Sequence, residues 1–139
     1  SRMTLNYAVV IGMIKLVLLM NRKPGLSREE FITYYEENHR LIGEKVLSGY
    51  ACRYVRRYPT PTGEPNEADP DVIMEIWFPD MATHDACFAA LSDPEQMAEI
   101  VADEEQLFDR GRMRPYLVEE HESYLPAPIL TRGESLRST

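Results

Sequence analysis

Cysteine is scarce in this chain: two occur in 139 residues, Cys52 and Cys87. That is too few for a disulfide framework and suits a reducing compartment. Both read as small apolar packers, Cys52 in a strand and Cys87 in a helix. Histidine is scarce as well. His39, His84 and His121 lie far apart, with no paired ligand spacing, so no metal site is expected. Basic charge is in deficit, with 15 Lys and Arg against 23 Asp and Glu and a formal net charge of −8. This argues against nucleic acid or an anionic membrane as a partner. The late acidic cluster of Asp103, Glu104 and Glu105 reads as a solvated helix face. Long apolar runs are also missing. The stretch from Tyr7 to Met20 comes nearest, but Lys15 interrupts it, it is short for a bilayer span, and no small-residue cleavage site follows. The expected location is the cytoplasm. A Gly-rich phosphate loop and a G-x-S-x-G elbow are absent too.

What is present is an ordinary globular composition, 44% hydrophobic and 27% charged, in a length that suits one domain. Residues 1–12 read as an extension, 13–122 as the folded unit and 123–139 as a tail with an apolar start (YLPAPIL) that suits packing on something. The run from Ile14 to Met20 is a short strand, apolar on both sides. Ser27 and Glu30 form a capping box, with Leu26 and Phe31 as a staple. Phe31, Tyr34, Tyr35, Asn38, Leu41 and Ile42 recur at helical spacing, which predicts a helix to about Gly43. Ala51–Tyr58 alternates as a second strand, and the prolines of residues 59–70 force a long loop. Asp71–Phe78 is a third strand. Asp80 caps a helix to Leu91, and Asp93, Pro94 and Gln96 start another. Met97, Ile100, Val101, Leu107 and Phe108 mark the buried stripe of that last helix. A fourth strand is expected within 112–122, with Pro115 at a sheet edge.

The order β-α-β-β-α-β predicts an α+β, ferredoxin-like fold: a four-stranded antiparallel sheet with helices on one face. The face away from the helices should be polar if it meets water. Here Val17, Leu19, Ile73 and Trp77 fall on it, so a partner surface is expected, most economically a homodimer through the open sheet face.

The segments MIKLVLLMNRKPGLSREEFITYYEENH (13–39), DVIMEIWF (71–78) and LVEEH (117–121) resemble the EthD family of the dimeric α+β barrel superfamily. The resemblance spans about residues 13–122. One departure is Arg40, Leu41 and Ile42 after the histidine, where the family usually has proline and leucine. The resemblance implies a homodimeric α+β barrel with a pocket between the sheet and the first helix. It also implies chemistry without a metal or organic cofactor, on a small hydrophobic molecule of aromatic, lactone or polyketide-derived type. A lyase or dehydratase step is expected first, with a cofactor-free monooxygenase or a non-catalytic binding protein as alternatives.

His39 is the leading candidate for catalysis, since imidazole suits proton transfer near neutrality and the helical wheel puts it at the flank of the buried face. Glu75, between Ile73 and Trp77, is either its acid–base counterpart with a raised pKa or the structural partner of Lys15. Tyr35 is a candidate hydrogen-bond donor. Tyr34, Tyr54, Trp77, Tyr116 and His121 are candidate substrate contacts. Glu120 and His121 compete for the inward position at the end of the fourth strand. Haem-binding relatives keep an axial role open for His121. His84 reads as structural.

Overall fold

The structure, a computed structural model, describes residues 12–132. The expected extension over 1–11 and the end of the tail, 133–139, lie outside the described residues. Four strands, β1 (Ile14–Met20), β2 (Arg53–Arg57), β3 (Val72–Phe78) and β4 (Arg114–Val118), pair antiparallel in the order β2-β3-β1-β4. The helices are α1 (Arg28–Tyr34), a π-helical turn (Tyr35–His39), α2 (Arg40–Leu47), α3 (Met81–Leu91) and α4 (Pro94–Leu107). This is the ferredoxin-like α+β arrangement. Among the described residues, no helix is long and apolar enough to cross a membrane.

Local chemistry sets the helix starts. Ser27 Oγ accepts from the Glu30 amide at 3.1 Å and Glu30 returns a bond to the Ser27 amide at 3.0 Å, which satisfies two otherwise orphaned donors. Asp80 and Asp93 accept from the amides of Thr83 and Gln96 at 2.7 and 3.3 Å. The first helical stretch runs four residues beyond the expected end at Gly43, to Leu47. With Arg40 in place of a proline, nothing removes a backbone donor there. Arg40 Nε also donates to Glu36 O at 2.7 Å, serving a carbonyl within the π turn. Termination falls to Gly49, whose φ of +90° lies in the region glycine tolerates best.

The register divides the sheet. Leu16, Met20, Val72, Met74, Ile76 and Phe78 are buried under the helices with Phe31, Tyr35, Leu107 and Phe108. Phe31 packs edge-on against Tyr35 and Phe108 with centroids 6.2 and 5.8 Å away. Truncating a ring so enclosed costs about 3–5 kcal/mol. The other face carries Lys15, Val17 and Leu19 opposite Trp77, Glu75 and Ile73, with Tyr116 and Val118 beside them on β4.

Several details differ from expectation. β4 is five residues long and ends at Val118, because β1 pairs with it only over Lys15–Leu19. Glu120 and His121 therefore lie beyond the strand, where period-two alternation does not apply. Cys52 is exposed just before β2, whereas Cys87 is buried. His84 is half-buried, edge-on to Phe78 at 5.2 Å. The apolar start of the tail leaves Tyr124 and Leu125 mostly exposed, so those two side chains find little cover on their own chain.

Candidate active site

The π turn shapes the site. Such turns widen an α-helix by one residue and are often found at functional positions. Here the turn begins with Tyr35 and ends with His39, both buried. The His39 ring lies edge-on between Tyr35 and Phe108, with centroid distances of 5.2 and 5.3 Å. Its Nδ1 is 2.8 Å from Asp103 Oδ2 on α4. A carboxylate has no proton to give, so Nδ1–H is the donor, and in the neutral ring Nε2 is the nitrogen that carries the lone pair. The other oxygen, Asp103 Oδ1, accepts from the Tyr34 hydroxyl at 2.6 Å. That bond, followed by burial, pushes the Tyr34 phenol up to about 12. Asp103 is thus held from two sides and fixes the imidazole in one tautomer and orientation.

His39 borders a cavity of about 320 Å³ between the sheet and the helices. Leu18, Met74 and Ile76 form its sheet wall, Ile42, Gly43 and Val46 its α2 wall, and Phe88, Leu91, Met97 and Ile100 the far side. Tyr54 and Glu104 are polar lining residues beside His39. Tyr54 is held in place: its hydroxyl lies 2.9 Å from that of Tyr35, and the Arg56 guanidinium sits 4.8 Å above its ring. Burial pushes the Tyr54 phenol up to about 12. Arg56 is in turn fixed by two bonds to Glu36, at 2.9 and 2.8 Å. The cavity is a largely apolar chamber with a few convergent polar groups, the usual form of a small-molecule site.

The expected residues are distributed unevenly around it. His39 and Tyr54 line the cavity. Tyr35 stands behind Tyr54, fully buried, with its hydroxyl 3.0 Å from Met74 Sδ. Tyr34 supports Asp103. The pairing of His39 with Glu75 in one acid–base site does not hold within the chain, because the sheet separates them: Glu75 points away from the helices with Lys15 and Trp77. Lys15 Nζ is 3.1 Å from one Glu75 oxygen and Arg57 is 3.0 Å from the other. Burial alone would raise the Glu75 pKa, but the bonds from Arg57 and Lys15 outweigh it and hold the carboxyl below the ordinary glutamate range. The raised pKa expected for a catalytic acid is therefore corrected. Trp77 lies on the same outer face, between Lys15 and Arg53 at 5.0 and 5.5 Å. Tyr116 shares that face, so neither ring walls the cavity. His121 is exposed beyond β4 and pairs with Glu119 at 2.5 Å, while Glu120 takes the outer-face position, 2.7 Å from Lys15 Nζ.

Two residues of the site were misjudged from sequence, Asp103 and Glu104, which read as part of a solvated acidic face. The signal was present. Met97, Ile100, Val101, Glu104, Leu107 and Phe108 follow the i, i+3, i+4, i+7 spacing of one helix face, so Glu104 sits inside the apolar stripe. Its side chain is only 12% exposed, and Arg110 Nε lies 3.4 Å away. Burial raises the Glu104 pKa more than His39 and Arg110 lower it.

The fold and the buried histidine-bearing helix define a class, the small ferredoxin-like chains with a chamber between sheet and helices. Within that class, the EthD domain family matches residues 23–111, and the chain belongs to this family. Similar solved structures include an uncharacterized NIPSNAP-like domain protein from Burkholderia xenovorans, 20% identical, with 84% of this chain and 91% of that chain covered and a TM-score of 0.54. An EthD family protein from Bacillus halodurans is also 20% identical, with 78% and 99% covered and a TM-score of 0.53. A third, from Bacteroides fragilis, described as a dimeric protein of unknown function with a ferredoxin-like fold, is 13% identical, with 77% and 93% covered and a TM-score of 0.50. No curated protein matches the chain.

Proposed function

We propose that this chain is a cofactor-independent acid–base enzyme, a lyase of the dehydratase type, acting on a small, apolar, oxygenated molecule held in the cavity. The observation that carries the reading is His39, which combines an Nδ1–H anchored on Asp103 at 2.8 Å with a ring bordering an apolar cavity of about 320 Å³. In its neutral form an imidazole so oriented has Nε2 as its proton acceptor, the requirement for a positioned general base. The apolar walls favour a hydrophobic ring or chain beside the reacting carbon. A cofactor-free oxygenation would use the same base and differ in its next step.

The working assembly in this reading is a homodimer joined through the outer sheet face. Val17, Leu19, Ile73 and Trp77 share that face, and Trp77 Nε1 is a buried donor with no hydrogen-bond partner among the described residues. A contact that supplies an acceptor would relieve that cost.

The test uses the aldol adduct of benzaldehyde and acetone, a β-hydroxy ketone, in deuterated water. The expected result is enzyme-dependent deuterium uptake at the carbon between carbonyl and carbinol, reduced by about 10²–10⁴-fold in His39→Ala with the thermal transition retained. Equal uptake by both proteins removes His39 from the mechanism.

A further inference from the structure

Glu104 and Asp103 are adjacent on α4 and serve His39 differently. Asp103 takes the Nδ1 side of the imidazole, whereas Glu104 lines the cavity that His39 also lines. The charged and titratable groups facing Glu104 are His39 from the π turn, Asp103 from its own helix and Arg110 from the turn that follows, at 3.4 Å. An ionised carboxylate beside Asp103, in an apolar chamber, would carry a desolvation cost that a single exposed arginine offsets only in part. The protonated acid avoids that cost and carries a transferable proton.

We propose that Glu104 is the proton donor of this cavity, giving its proton to the leaving hydroxyl of a small apolar β-hydroxy carbonyl compound from which His39 removes the α proton. The proposal rests on His39 acting as the cavity base. In the forward step the α C–H bond breaks and its proton goes to Nε2. The electron pair passes reversibly onto the carbonyl oxygen as an enolate, then returns to form the C=C bond as the C–O bond breaks and its oxygen takes the Glu104 proton. Water and a conjugated enone leave, with imidazolium and carboxylate behind. Transfer of the imidazolium proton to Glu104 through solvent restores both groups, and no oxidant or reductant is required. A second group with a proton to give separates this chemistry from oxygenation, which needs only the base.

The same β-hydroxy ketone separates the two roles. Deuterium uptake at the α carbon reports His39, and the absorbance of benzylideneacetone reports loss of water. In Glu104→Gln, uptake is expected within about threefold of the natural chain while water loss falls by about 10²–10⁴-fold. Binding of benzylideneacetone, measured by calorimetry, should be kept. Water loss unchanged in Glu104→Gln overturns the role of Glu104 and leaves the base standing. Absence of deuterium uptake in the natural chain removes the base, and the proposal falls with it. A second measurement needs no variant. With ¹³C-labelled glutamate, the Glu104 carboxyl should titrate above the ordinary glutamate range. An ordinary midpoint overturns the proposal.

Discussion

Asp103 Oδ2 and His39 Nδ1 stand 2.8 Å apart, across the junction of the π turn and α4. They are 64 residues apart in sequence, and the bond ties α4 to the first helical stretch beside the cavity. Neutral imidazole has two tautomers, and a carboxylate at Nδ1 selects the one that leaves Nε2 as an acceptor.

Asp103→Asn should therefore keep the fold and scramble the tautomer, since the amide offers both a donor and an acceptor. Catalysed α-proton exchange is expected to fall by about 10²-fold. ¹⁵N chemical shifts of His39 check the cause directly. A variant in which Nδ1 remains the protonated nitrogen and exchange is unaltered contradicts the anchoring role.

Gly43 has an opposing pair of effects. A Cβ there would lie 2.8 Å from Tyr54 Oη and 2.9 Å from its ring, and Tyr54 is pinned by Tyr35 and Arg56. Overpacking of this kind costs about 1–3 kcal/mol, against about 1 kcal/mol gained by alanine over glycine in a helix. Gly43→Ala should thus be neutral to about 2 kcal/mol less stable in urea unfolding. Tyr54 should move away from α2 in its crystal structure, with loss of the Tyr35–Tyr54 bond.

The Glu75 carboxyl is held below its ordinary pKa, so the stabilisation it brings is present above the unfolded-state value of about 4.3 and is lost as pH falls through the folded-state value. Glu75→Gln removes that term. It should cost roughly 1–2 kcal/mol at neutral pH, and the difference from the natural chain should close as pH falls below about 4. Urea midpoints across an acid series measure this. A constant gap would mean the carboxylate is not the source.

Ile73 lies on the outer sheet face, one alternation away from Glu75. If that face joins two copies, Ile73→Lys should yield a monomer in analytical ultracentrifugation. Trp77 is the one tryptophan of the chain and shares that face with Ile73, so its emission should shift to the red as the face becomes wet. A dimer that survives the substitution places the contact elsewhere.

Much of this architecture was legible in the sequence because its determinants are local. Capping residues at Ser27, Asp80 and Asp93, the prolines of 59–70 and the change between period-two and helical spacing act over a few residues, and they set the element order and hence the fold. His39 was legible for the same reason, as part of a patterned helix. The end of that helix was not. Gly43 looks like a terminator in one dimension, yet its missing Cβ makes room for Tyr54, eleven positions away on β2.

The division of labour among the carboxylates belongs to the tertiary structure. Alternation along β3 fixes that Glu75 opposes Met74 and Ile76, but which side holds the cavity depends on where the helices dock. Docking places His39 on the Met74 side and leaves Glu75 to Lys15 and Arg57. Likewise, three consecutive acidic residues at 103–105 are alike as a string. The helical turn of about 100° per residue, together with the packing of α4, sends Asp103 to the imidazole and Glu104 into the chamber. Glu105 stays in solvent. Local chemistry determined the elements and their order. Only the contact between α4 and the π turn, made across 64 residues of chain, decided which carboxylates share a site with the histidine.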